Sequence, residues 1–213
     1  MPVVRLSHNL SFPDTSLADE NGLLAFGGDL RRERLLLAYK SGIFPWFSED
    51  EPIQWWSPDP RFILFPEKVQ VSKSMKQVMR SGMFSYTVNQ AFEEVITQCA
   101  SLRKWEGTWI TNEMIAAYCD LHRSGHAVSV ETWKENQLVG GLYGIRMGKL
   151  FFGESMFSKM SNASKYAFIN YTSQLKLEGV VLIDCQVYTE HLKSLGAEFI
   201  SRNSFLQILK ENL

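Results

Sequence analysis

The sequence predicts an α+β fold built on a mixed β-sheet, and three observations predict it. Residues 127–157 read as three consecutive strands joined by tight turns. A long amphipathic helix follows, running to Glu178 and closed by Gly179. A fully apolar run, Val180-Val181-Leu182-Ile183, then reads as a buried strand. A strand, a helix and a second buried strand imply a right-handed crossover to a parallel neighbour, so the sheet combines antiparallel and parallel pairs.

In chain order, the first sixty residues are punctuated by Asn21-Gly22, Gly27-Gly28-Asp29, Ser41-Gly42 and Pro45. Between these breaks Arg31 to Lys40 reads as a short helix carrying Leu35, Leu36, Ala38 and Tyr39. Trp55-Trp56-Ser57-Pro58-Asp59-Pro60-Arg61 is turn-rich, because its two prolines keep their neighbours out of helix. A subdomain boundary is expected there, dividing residues 1–60 from 61–213. Ser72 to Arg80, Asn89 to Ser101 and Asn112 to Ser124 read as helices, the last ended by Gly125. The three strands are Ala127 to Lys134, Leu138 to Arg146 and Lys149 to Phe157. Ser161-Asn162-Ala163-Ser164 is expected to cap the long helix.

Composition bounds the function. Hydrophobic residues make up 45% and charged residues 21% of 213, which suits a globular protein with a sizeable core. A formal charge of −1 argues against a protein that coats nucleic acid, so any RNA contact must use a local patch. No apolar run is long enough to span a bilayer, and Met1 to Asn9 lacks a signal-peptide core. Three cysteines, Cys99, Cys119 and Cys185, show no metal spacing and suit reduced thiols in a cytoplasmic protein. Six tryptophans are many for this length. Trp46, Trp55 and Trp56 crowd into eleven positions, as an apolar wall or as large rings filling a small core.

In open sheets, sites form at the carboxyl ends of strands. Those ends here carry Gly153-Glu154-Ser155 and Asp184-Cys185-Gln186. Asp184 and Gln186 are two apart on a strand and share a face, so the carboxylate can orient the amide and the amide oxygen can accept from an amine. Strand-end residues that satisfy backbone donors are the plainer reading. Glu154 could hold a cationic substrate group or be an exposed rim acid. His122 and His126 are four apart but lack an accompanying carboxylate motif, which points to a helix end and no metal site. His191 reads as a capping or structural residue. Lys73, Lys76 and Arg80 form a small basic face. In a chain of this charge it is the best candidate for phosphate contact, beside the common reading of a solvated face.

Several segments together carry a resemblance. They include Asn21-Gly22-Leu23-Leu24-Ala25-Phe26-Gly27-Gly28-Asp29-Leu30, Gly42-Ile43-Phe44-Pro45-Trp46-Phe47, and the Trp55 to Arg61 stretch. Further on come Glu106-Gly107-Thr108-Trp109-Ile110, Gly140-Gly141-Leu142-Tyr143-Gly144, Phe152-Gly153-Glu154-Ser155-Met156-Phe157 and Ile183-Asp184-Cys185-Gln186-Val187. In this order they resemble the bacterial leucyl/phenylalanyl-tRNA–protein transferases over nearly the whole chain. The resemblance implies a small N-terminal domain packed on a GNAT-type acyltransferase domain. It implies transfer of Leu, Phe and, less well, Met from the acceptor end of leucyl-tRNA or phenylalanyl-tRNA. The acceptors would be proteins with N-terminal Arg or Lys, thereby marked for N-end-rule degradation. It implies no cofactor and no metal.

By the same resemblance, a relay pair falls on Asp184 and Gln186, and an active-site acid on Glu154. The amino-acid pocket falls on Trp46, Trp109, Leu142, Phe151, Met156, Tyr171 and Ile183. Three positions depart from the familiar pattern: Tyr171 stands where a Phe is usual, Leu142 where a Met is usual, and Thr189 where an Asn occurs. An acetyl-CoA N-acetyltransferase is the main rival reading. Such enzymes wrap the pyrophosphate in a glycine-rich turn before the long helix, and Ser158 to Ser164 contains no glycine. A non-catalytic module that binds tRNA or degradation signals is the second rival, and it would not need Asp184 and Gln186.

Overall fold

The computed structural model describes residues 3–101 and 110–213. The first part of the chain forms β1 (Val4–Leu6), β2 (Leu23–Gly27), α1 (Arg32–Lys40), β3 (Phe44–Pro45) and β4 (Gln54–Trp56). Its four strands make a sheet in the order β1-β2-β4-β3. Helix α1 buries Arg34, Leu35, Ala38 and Tyr39, one face repeated after a helical turn. The buried Arg34 guanidinium donates to the carbonyls of Ser7 and Asn9 and to Asp29, fastening the first strand's exit to the helix. Gly42, at φ 74°, reverses the chain after α1. A side chain there would meet Leu206 at 2.6 Å.

The second sheet contains β5 (Arg61–Leu64), β6 (Ser85–Val88), β7 (Ala127–Lys134), β8 (Gln137–Met147), β9 (Leu150–Ser158), β10 (Leu182–Gln186) and β11 (Glu198–Ile200). Their order is β11-β5-β10-β9-β8-β7-β6. Strands β6 to β9 pair antiparallel, β9 and β10 pair parallel, and β5 pairs antiparallel with both β10 and β11. The expected α+β class and mixed sheet are therefore present, with the parallel strands β9 and β10 joined as expected through α5 (Ala163–Leu177).

Helices cover both faces. On one lie α3 (Phe92–Ser101) and α4 (Asn112–Arg123), which pack Val95, Ile96, Met114 and Tyr118 against Tyr143, Ile145 and Phe152. On the other lie α2 (Lys73–Arg80) and α5, which pack Met75, Ala167, Phe168 and Leu175 against Val130, Leu142, Phe151 and Ile183. With helices on both sides, β8 and β9 are buried almost continuously and not at every second residue. The chain closes with α6 (Glu190–Ser194) and α7 (Arg202–Asn212). Phe205 and Leu209 of α7 join the same apolar cluster as Leu24, Leu35 and Trp55 of the first part, so one core runs through both sheets.

Four helix starts follow local chemistry. Ser72, Thr111, Thr189 and Ser201 cap α2, α4, α6 and α7 through their side-chain oxygens. The cap expected for α5 from Ser161 to Ser164 is not made. Asn162 precedes that helix in the left-handed region at φ 70° and its side chain makes no capping bond. The Ser158 hydroxyl, six residues upstream at the end of β9, accepts from the Ser164 amide instead. Buried Glu131 does similar work for α3, accepting from the amides of Gln90 and Ala91 and from the hydroxyls of Thr87 and Ser129.

Candidate active site

The site begins where two parallel strands part. The β9–β10 register runs through Leu182↔Leu150, Ile183↔Phe151 and Asp184↔Phe152, and no pairing follows. Beyond that point β9 continues to Ser158 along β8, whereas β10 leans onto β5. A β-bulge sits on each side of the opening. Gly153 faces Gly144 and Ser155 faces Tyr143, which leaves Glu154 as the extra residue of β9. On β10 the register shifts between Asp184 and Gln186, and Gln186 takes φ 62°, a left-handed conformation uncommon for a residue other than glycine. The simple expectation that Asp184 and Gln186 share a pleated face therefore does not describe this strand end.

The opening is a cavity of about 360 Å³. Trp46, Leu142, Phe151, Met156 and Ile183 line it, together with Phe44, Phe157 and Phe168. Trp46 comes from the first sheet and is 42% exposed, with its carbonyl held by the Trp56 indole N–H at 2.7 Å. Tyr171 does not reach the wall. It stands edge-on behind Phe151, with ring centroids 5.2 Å apart. Burial pushes its hydroxyl up to about 12, with Arg146 and Glu178 nearby. Trp109 lies outside the described residues, as does most of the Glu106 to Ile110 motif.

Glu154, Asp184 and Gln186 come together at the polar end of this cavity. Glu154 is buried and not a rim acid. Its Oε1 accepts from the Tyr39 hydroxyl and from the Gln186 amide nitrogen, each at 2.8 Å, and its Oε2 accepts from the Tyr118 hydroxyl at 3.0 Å. The two tyrosine hydroxyls also touch each other. Burial raises the Glu154 carboxyl from its usual 4.5 to about 7, and the three hydrogen bonds hold it from rising further. Among the described residues no cation faces it.

Asp184 is the electrostatic opposite. Arg61 of β5 donates to both of its oxygens, Nε to Oδ1 at 2.8 Å and Nη2 to Oδ2 at 2.7 Å. Phe44 and Phe205 flank that guanidinium, each with its ring centroid 4.7 Å away. Asp184 Oδ1 also accepts from the backbone N–H of Gln186 at 2.9 Å. The carboxylate thus holds the Gln186 backbone, and the Gln186 side-chain amide is held by Glu154. Sequence reading missed Arg61, Tyr39 and Tyr118. Arg61 closes a turn-rich stretch and Tyr39 sits in an ordinary helical pattern, so neither carries a local signal.

The remaining candidates are spread more widely. Lys73, Lys76 and Arg80 are exposed on α2, whose buried residue Met75 packs towards α5. His191 lines the cavity from α6, and its Nε2 has no partner among the described residues. Burial pushes the Cys185 thiol well above its ordinary range, so it stays protonated and is not a nucleophile. The His122 ring stacks on Phe92 and its Nδ1 meets the Ala127 carbonyl.

Comparison with known proteins bears on this arrangement. A family model described as leucyl/phenylalanyl-tRNA protein transferase matches residues 63–210, and a model of that family's N-terminal domain matches residues 28–59. The leucyl/phenylalanyl-tRNA–protein transferase of Flavobacterium johnsoniae is 56% identical over 207 residues, covering 96% of this chain and 98% of that one. Its counterpart in Syntrophobacter fumaroxidans is 53% identical over 215 residues, covering 100% and 92%. Among solved structures, a GCN5-related N-acetyltransferase from Kribbella flavida aligns with a TM-score of 0.39 at 11% identity, covering 78% of this chain and 60% of that one.

Proposed function

Because the chain belongs to the leucyl/phenylalanyl-tRNA–protein transferase family and is thus an aminoacyl-tRNA–protein transferase, we propose that it carries Leu, Phe and, less well, Met from tRNA to the N-terminal amine of proteins beginning with Arg or Lys. The observation that carries this reading is one cavity with an apolar wall and, at its polar end, a buried carboxylate that lacks a cationic partner among the described residues.

The apolar wall takes the esterified side chain. One methylene is worth only about 1–3 kcal/mol in such a pocket, so Leu, Phe and Met overlap as donors. The ester is already activated, so holding an amine against its carbonyl supplies much of the acceleration. An α-amine has an ordinary pKa of about 8. Glu154, near 7, is matched to take a proton from it as the nitrogen attacks. The carbonyl electron pair moves to oxygen and returns, the ester bond to the tRNA breaks, and the freed ribose oxygen receives the proton.

Gln186 aims the Glu154 carboxylate, and Asp184, neutralised by Arg61, fixes the Gln186 backbone. Asp59 is less suited to reading the acceptor's cation, because its Oδ1 already accepts the Arg202 amide at the start of α7. The products would enter N-end-rule degradation in the cytoplasm.

The experiment is a transfer assay with labelled leucyl-tRNA and peptides that begin with Arg or with Ala. Label should pass to the Arg peptide and far less to the Ala peptide. Equal rates remove cation recognition, and no transfer to either removes the activity.

A further inference from the structure

Within the transfer reaction proposed above, the structure assigns positioning roles to Tyr39 and Tyr118: their hydroxyls hold the Glu154 carboxylate facing the cavity, so that Gln186 and the acceptor's amine meet it together. The two tyrosines come from separate parts of the chain, one from α1 beside the first sheet and one from α4. Both are buried, at 1% and 0% exposure, and converge on opposite oxygens of one carboxylate at 2.8 and 3.0 Å. Their rings pack with apolar neighbours, Tyr39 on Phe152 and Tyr118 on Tyr143. Phenylalanine would fill the same space at both positions without burying a hydroxyl. Buried polar groups replaced by apolar groups of equal shape often cost no stability. A carboxylate, two phenols and an amide kept in such a core therefore point to the chemistry they face.

The charged and titratable groups around Glu154 are few. Tyr39 approaches from α1 and Tyr118 from α4, and Asp184 approaches from β10 with its charge tied to Arg61. Both hydroxyls are placed to donate to the ionised acid and so favour that form, their two protons being shared over these contacts and the one between the phenols. Removing one hydroxyl leaves the carboxylate less firmly aimed and harder to ionise. The consequence for the first part of the chain is direct: through Tyr39 it helps to set the acid, besides lending Trp46 to the cavity wall.

The test uses Tyr39→Phe and Tyr118→Phe, singly and together, in the full chain. Transfer from leucyl-tRNA to one Arg-starting peptide is followed against pH, so the peptide's own amine contributes equally to every profile. The acid limb should move up by roughly one pH unit for each hydroxyl removed, with kcat falling more than the KM for leucyl-tRNA rises. Infrared titration of the Glu154 carboxyl, assigned with Glu154→Gln, should show the same upward move without any turnover. Melting temperatures should stay near the parent's at pH 5, where Glu154 keeps its proton, and fall below the parent's at pH 8, where the ionised acid has lost a donor. If both single variants keep the parental limb and the parental infrared titration, the assignment is overturned. Should one variant fail to fold, the other still decides. A parent that transfers nothing overturns the functional reading, and the infrared titration then still tests the hydroxyl contacts.

Discussion

Glu154 is a residue whose usefulness opposes its stability. Its carboxyl is raised to about 7 from 4.5, so between those values the folded protein keeps a proton that the unfolded chain has lost. Stability therefore falls as pH rises through that window and is flat above it. The full difference is roughly 3 kcal/mol. Glu154→Gln should melt at a higher temperature than the parent at pH 8, with the gap closing by pH 5, as read by calorimetry. Equal melting curves at both values would show that the carboxylate is not held at a cost. The same variant should lose transfer. Asp184→Ala presents a different balance, since it leaves the Arg61 guanidinium buried without a partner. A loss of several kcal/mol is expected, on the scale of a broken buried pair. Asp184→Ala and Gln186→Ala should each slow single-turnover transfer, and near-normal rates in both would remove the pair from the mechanism.

At the scale of elements, the site depends on two strands that separate and on a bulge in each. Gly144 faces Gly153 at the Glu154 bulge. A Cβ on Gly144 would overlap the Phe152 carbonyl oxygen and the Phe151 ring, neither of which can retreat from a packed sheet. Gly144→Ala should destabilise by about 2–4 kcal/mol in urea titration, and parental stability would show that β8 and β9 have room to move. Helix α2 supplies the other element-level expectation. Reversing Lys73, Lys76 and Arg80 to Glu should raise the KM for charged tRNA. It should also make the dependence of log affinity on log salt shallower, by about 0.9 for each phosphate that is no longer neutralised. An unchanged salt slope would move the RNA backbone to another surface.

For the whole molecule, the shared core matters more than the division into two sheets. Leu24, Leu35 and Trp55 belong to the same apolar cluster as Phe152 and Leu182, and Phe205 of the last helix belongs to it too. Arg202 reaches back to the Ser57 carbonyl, and Asp59 accepts its amide. Residues 61–213 expressed alone should show no sharp thermal transition and should bind a hydrophobic dye. A cooperative transition in that fragment would show that the core divides near residue 60. This continuity also places Tyr39 and Glu154 in one hydrogen-bonded group although 115 positions separate them.

Periodicity, turn residues and caps are local, so the order of three strands, a helix and a strand could be read from the sequence, as could α1 to α4. The bounds drift by a residue or two at most ends, and α3 starts at Phe92 where a start at Asn89 is expected. The short strands β1 to β6 escaped because each has five residues or fewer and lies among prolines, glycines or polar turns. Glu154, Asp184 and Gln186 were legible as polar residues at strand ends, and the pocket positions only through resemblance. The partners of those polar groups were not. Arg61 on Asp184, two tyrosines on Glu154 and a left-handed Gln186 are choices made when distant segments pack. A buried donor or acceptor takes whichever partner the finished core brings within about 3 Å, and no spacing along the chain records which one that is.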